Sequence, residues 1–127
     1  MTKDLQIIKK LESRFGELRA YCRMNNNKIT HLRLTLRDVE NKDLELIGEL
    51  TSLTTLKLDY NNISTIQGLD KLTNLKYLHL NNNQITTMQG LDSLVSLQEV
   101  WVGYNKIDEK EIKEFQANHP KITIKCT

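Results

Sequence analysis

The stretch that decides the fold runs from Leu50 to Lys71, LTSLTTLKLDYNNISTIQGLDK. It returns without a gap from Leu72 as LTNLKYLHLNNNQITTMQGLDS and from Leu94 as LVSLQEVWVGYNKIDEK. At this period of 22 residues the columns Leu50/Leu72/Leu94, Leu53/Leu75/Leu97, Leu56/Leu78/Val100 and Leu58/Leu80/Val102 coincide. So do Asn61/Asn83/Asn105 and Ile63/Ile85/Ile107, with Ile66/Met88 and Leu69/Leu91 in the first two copies. Alternation of the type Leu-x-Leu is the period of a strand with one buried face. A unit this short cannot bury that face alone, so the units must stack, with their strands side by side as one wall of a solenoid. An asparagine at a fixed place after each strand serves the turns: its amide both donates to and accepts from backbone groups that stacking buries.

These columns spell L-x-x-L-x-L-x-x-N-x-I, and the chain resembles the leucine-rich repeat family in its short 22-residue class. The resemblance implies an α/β solenoid with parallel β-strands on a concave face, used for protein–protein interaction without catalysis. Upstream, ITHLRLTLRDVENKDLELIGEL reads as a divergent first repeat. Ile29, Leu32 and Leu34 occupy the columns of Leu53, Leu56 and Leu58 at an offset of 24, and Arg37 stands in the asparagine column. Asn41 as a cap, with Leu44, Ile47 and Leu50 at helical spacing, predicts a short convex-side helix, a style that looks like bacterial members of the family.

An open solenoid exposes apolar ends and needs caps. Leu5, Ile8, Leu11 and Phe15 share one helical face, with Thr2 to start the helix and Gly16 to end it. Next, ELRAYCRM and KITHLRL flank Asn25-Asn26-Asn27 as a β-hairpin. At the other end Asp108 and Glu111 read as a cap and box for a helix turning Ile112 and Phe115 inward, stopped at Asn118-His119-Pro120. Ile122 and Ile124 then fall 22 residues beyond Val100 and Val102, predicting one more strand. The expected organisation is a single domain over residues 1–127, with a cap at 1–28, repeats at 29–107 and a cap at 108–127. The sequence thus reads as a complete, self-capped miniature and not a fragment.

Composition narrows the function classes. Of the 127 residues 39% are hydrophobic and 27% charged, which excludes a wholly disordered chain. No apolar run approaches the roughly 20 residues of a membrane span, and MTKDLQIIKK lacks the uninterrupted apolar core of a signal peptide. A cytoplasmic setting is the expectation. Cys22 and Cys126 fall at opposite ends of the proposed solenoid, about five strand spacings apart. That is beyond the roughly 7 Å reach of a disulfide between Cα atoms, so no intramolecular bridge is expected. His31, His79 and His119 lie outside metal-ligand spacing, and no nucleophile–base pair or phosphate-binding glycine loop is present. Neither enzyme activity, a metal nor a cofactor is expected.

The informative positions are those on the strands that point away from the core. Pleating turns Thr55, Lys57 and Asp59 outward when Leu56 and Leu58 face inward. The central outward column then reads Arg33, Lys57, His79, Trp101 and Thr123. The column before it reads His31, Thr55, Tyr77 and Glu99, and the one after reads Thr35, Asp59, Asn81 and Gly103. Tyr60, Asn82 and Tyr104 follow at the strand exits. Aromatic residues are only 6% of the chain, yet the single tryptophan and three of four tyrosines gather here. One reading is cross-strand packing alone. The other, taken here, is a partner-binding surface made of Arg33, Lys57, Tyr60, Tyr77, His79, Glu99, Trp101 and Tyr104. The partner would be an unidentified protein or peptide. A regulatory or host-directed effector module of a bacterium, and a carbohydrate or small-ligand binder, are the alternatives. Residues 1–37 carry net +6 and the remainder net −4. Lys9, Lys10, Arg14, Arg19 and Arg23 lack the aromatic interleaving that stacks bases, so nucleic acid ranks below a protein partner and the basic front reads as a solvated cap.

Overall fold

A computed structural model describes residues 2–126. The leading helix α1 (Lys3–Phe15) is followed by a single 3-10 turn at Arg19–Tyr21. Strands β1 (Cys22–Asn25) and β2 (Lys28–Arg33), helix α2 (Asn41–Ile47), and strands β3 (Thr55–Lys57), β4 (Tyr77–His79) and β5 (Glu99–Trp101) come next. Helix α3 (Glu109–Asn118) and strand β6 (Thr123–Lys125) complete the order. The six strands form one sheet in chain order, antiparallel between β1 and β2 and parallel from β2 to β6. Met1 and Thr127, the outermost residues of the two expected caps, lie outside the described residues.

The repeat columns are the core. Leu32, Leu56, Leu78 and Val100 stand in register on neighbouring strands, and Leu34, Leu58, Leu80 and Val102 follow; all are buried. Behind them Leu53, Leu75 and Leu97, then Ile63 and Ile85, then Ile66 and Met88 close the interior. Inter-strand hydrogen bonding continues past each short strand, from Leu58 N–H to His79 O and from Tyr60 N–H to Asn81 O. The asparagine column does more than hold its own turn. Asn83 donates to the carbonyls of Leu80 and Asn81 in its own repeat and of Leu58 in the preceding one, and accepts from Ile63 N–H of that preceding repeat. Asn61 and Asn105 repeat the pattern one unit before and after. Position 37 departs from the column in the first unit, which has no preceding repeat for such an amide to reach, and there Asn61 accepts from the N–H groups of Arg37 and Val39.

The first unit spends its two extra residues on α2. Its cap is Glu40, which forms a reciprocal box with Asp43, and not Asn41. Asn41 instead reaches the next repeat, bonding the Ser64 hydroxyl and the N–H groups of Ser64 and Thr65. Helix α1 begins at Thr2 and ends at Gly16, whose φ of 86° suits a residue without Cβ. It buries Ile7, Ile8 and Leu11, with Leu5 and Phe15 only partly covered. Its Asp4 is buried too and accepts from Ile29 N–H at 2.7 Å, joining helix to strand. Arg14 clamps α1 to α2, with Nε and Nη2 on the two oxygens of Asp43, each at 3.1 Å. The hairpin is shorter than the sequence suggests: the 3-10 turn takes Arg19–Tyr21, and Asn26 and Asn27, at φ of 53° and 62°, make the reversal.

The far end departs from expectation in two ways. Asp108 caps α3, but Glu111 does not complete a box; it accepts from the Thr87 hydroxyl at 2.7 Å and Met88 N–H at 2.6 Å, fastening α3 to the preceding repeat. The last strand is also set two residues later than the 22-residue period places it. Ile124 pairs with Val100 and Lys125 with Trp101, an offset of 24. The physical reason is the return path: this crossover contains a helix, as does the 24-residue crossover from β2 to β3. Both helical units need two more residues than the units whose crossovers lack one.

Candidate functional site

The outward face of the sheet carries one row of side chains in strict register: Arg33, Lys57, His79, Trp101 and Lys125 on β2 to β6. Thr123, expected in this row, belongs to the neighbouring one with His31, Thr55, Tyr77 and Glu99. At about 4.8 Å per strand the row is about 19 Å long. Unbroken hydrogen bonding and a buried leucine layer beneath hold it in place, so its shape exists before any ligand arrives.

Trp101 is the centre of its half. The indole lies parallel to the His79 imidazole, with ring centres 5.3 Å apart. Lys125 Nζ sits 4.9 Å from the indole centre, and Nε1–H donates to Glu99 Oε1. Both neighbours in the row and the adjacent carboxylate are therefore engaged with this one ring. Burial holds the His79 imidazole below its ordinary pKa of 6.5, with Asp59 pulling it up, Lys57 pushing it down and Glu99 pulling it up. The neutral ring is the form that stacks at physiological pH.

The other half is cationic. The Arg33 guanidinium carbon lies 5.3 Å from the centre of the Tyr21 ring and that of Arg37 lies 4.4 Å from it. Arg37 also donates to Phe15 O at 2.7 Å. A shallow cleft of about 310 Å³ opens here, lined among others by Tyr21, Arg23, His31, Arg33 and Lys57. Lys57 stands beside Arg33 on the next strand and bridges the two halves.

Of the tyrosines, Tyr77 donates weakly to Gln98 at 3.4 Å and does not stack on Trp101. Tyr60 and Tyr104 stand apart from the row at the strand exits, 54% and 73% exposed. Both hold positive φ, 59° and 54°, as does Asn82 in the same column. That backbone region is unfavourable for a bulky residue. The structure thus joins Trp101, His79 and Glu99 into one cluster, sets Arg33 and Lys57 beside it, keeps Tyr77 in the neighbouring column of the face, and leaves Tyr60 and Tyr104 at the strand exits. Sequence reasoning missed Tyr21 and Lys125. Lys125 is legible once the last crossover is counted at 24 residues; Tyr21 lies in the cap and carries no repeat signal.

Among the described residues no group of three or more His, Cys, Asp or Glu is placed to hold a metal ion, and no helix is long and apolar enough to cross a membrane. Cys22 opens β1 and Cys126 follows β6, at opposite edges of the sheet, and both are free thiols.

A family model, Leucine Rich repeats (2 copies), matches residues 51–93 and again 73–115, together just over half of the chain. The chain belongs to the leucine-rich repeat family. No curated protein matches the sequence. Among solved structures it is similar to internalin C2 of Listeria monocytogenes, at 26% identity over 80% of this chain and 42% of that one, with a TM-score of 0.67. Internalin F of the same organism aligns at 27% identity over 76% of this chain and 26% of its own, with a TM-score of 0.57. A leucine-rich repeat protein of Leptospira interrogans aligns at 30% identity over 63% and 21%, with a TM-score of 0.56. The chain spans less than half the length of each of these structures.

Proposed function

We propose that the chain is a non-catalytic protein–protein interaction module whose partner docks on the outward face of the parallel sheet. The observation that carries this is the registered row Arg33, Lys57, His79, Trp101 and Lys125, presented on the outward face of a hydrogen-bonded parallel sheet. A surface already in its bound shape loses little conformational entropy on docking, and the concave face of a repeat array is the extended surface such folds offer. Tyr60 and Tyr104 add exposed, amphipathic rings at one rim, where interface anchors are enriched. A carbohydrate ligand is less well supported. Sugar stacking needs an open aromatic face, and at Trp101, the largest ring of the row, His79 and Lys125 both lie against the indole. A regulatory or host-directed setting for the same module would leave the docking mechanism unchanged.

The test is site-specific photocrosslinking in the native cell lysate. A photoreactive residue at Tyr77 on the concave face is expected to capture a partner that the same residue at Glu45 on α2 does not. A partner captured from Glu45 alone would place the interface on the convex side and overturn the reading.

A further inference from the structure

The basic half of the sheet face has a chemistry of its own. Arg23 and His31 are paired across β1 and β2, and Arg33 and Lys57 across β2 and β3. Four groups that are or can become cationic therefore surround one cleft beside the Tyr21 ring. Among the described residues the ion pairs are those of Arg14, Lys42, Lys113 and His119. Within that set no carboxylate neutralises Arg23, Arg33 or Lys57, and no described group accepts a hydrogen bond from their side chains. On the same face Asp59 accepts from Asn81 N–H at 2.8 Å and Glu99 from the Trp101 indole, and neither forms an ion pair with Arg23, Arg33 or Lys57. Burial first, and then the charges of Arg23 and Lys57, hold the His31 imidazole below its ordinary value. Tyr21 faces the Arg33 guanidinium and steadies it with its donors unused. Like charges held together without a counter-charge weaken the fold slightly and favour any anion that enters.

We propose that this cleft receives the carboxylates of an acidic segment of the protein partner, with Arg33 and Lys57 as the principal contacts. The proposal rests on the reading that the concave face is the docking surface, and adds to it the chemistry of what docks. A planar guanidinium offers paired donors to a carboxylate, and an ammonium beside it offers a second, adjustable point charge. An extended peptide crossing the row of about 19 Å spans about six residues at roughly 3.3 Å each. Acidic side chains at one end would meet Arg33 and Lys57, and a further one Lys125 at the other end.

The probe is fluorescein-labelled octaglutamate, followed by fluorescence anisotropy at low and high salt, with octaglutamine as the uncharged control. Octaglutamate is expected to bind and to weaken as salt rises, and octaglutamine not to bind. Arg33→Glu with Lys57→Glu is expected to weaken binding by about tenfold or more. Lys9→Glu with Lys10→Glu, the same charge change on the exposed face of α1, should alter it by less than about twofold. Circular dichroism checks the fold of each variant. If the glutamate pair fails to fold, Arg33→Gln with Lys57→Gln takes its place, with a smaller but clear loss of binding expected. No octaglutamate binding, or an equal loss from both charge-reversed pairs, overturns the proposal. So does displacement of octaglutamate by equimolar inorganic phosphate, or tighter binding of a single-stranded oligonucleotide through Arg33 and Lys57. Should octaglutamate fail while photocrosslinking from Tyr77 still captures a partner, the acidic chemistry falls and the docking face stands.

Discussion

The indole of Trp101 and the imidazole of His79 lie 13° from parallel on adjacent strands, so the only tryptophan of the chain is in direct contact with a titratable group. Their pairing is set by the 22-residue repeat, which brings residues 79 and 101 into register. The tryptophan is therefore a built-in reporter on the sheet face.

Burial lowers the His79 pKa, and the folded protein binds that proton only below the unfolded value of 6.5. Between 6.5 and the lower folded value the unfolded chain holds more protons, so stability contributed by the neutral ring is complete above 6.5 and is lost as pH falls. The indole emission is expected to change over a transition centred below pH 6.5, and His79→Gln to abolish that transition. A transition that persists in the variant, or one centred above 6.5, refutes the account.

The asparagine column makes a second, graded expectation. Asn83 is buried and serves groups from two repeats, and Asn83→Ala strands them without partners. The cost should be about 2–4 kcal/mol, and it should exceed that of Asn105→Ala, whose site is partly open to water. Urea unfolding midpoints of the two variants measure the difference. Equal midpoints would show that burial does not set the cost.

Gly48 tests close approach between units. A Cβ added there would fall 1.9 Å from the carbonyl oxygen of Gly68 in the next repeat, which neither backbone can accept without moving. Gly48→Ala is expected to destabilise by more than about 2 kcal/mol, although its φ of −67° would itself tolerate alanine. Thermal unfolding close to that of the parent would mean the two backbones yield easily.

Glu111 fastens the last helix. Glu111→Ala removes both hydrogen bonds to the Thr87–Met88 corner and should cost about 1.5–3 kcal/mol. Hydrogen exchange should quicken first along α3 (Glu109–Asn118). Uniform quickening through all repeats would show instead that α3 unfolds only with the whole array.

The periodic part of the molecule was legible because each column repeats its physical task. Leu56, Leu78 and Val100 face one interior, and Asn61, Asn83 and Asn105 meet one kind of turn. What escaped was specified by single encounters between distant segments. Asp4 looks like an ordinary first-turn carboxylate until Ile29 N–H is seen against it. Asn41 and Glu111 have the spacing of caps, yet each is taken by a corner of the neighbouring unit about 23 residues away. The place of Lys125 depended on the length of a crossover, which the repeat period does not encode for a unit containing a helix. On the site, outward pointing was readable from strand alternation. The contacts that His79 and Lys125 make with Trp101 were not.

The asparagines reach one way only, each from its own turn into the unit before it. This gives the array a polarity like that of courses of brick, where every course carries the fastener for the one already laid. A 22-residue segment from the middle, such as 72–93, arrives with its own fastener and leaves behind the socket the next one needs. Lengthening or shortening the face by whole units therefore calls for no new joint, and the register of the outward row is carried along with each unit.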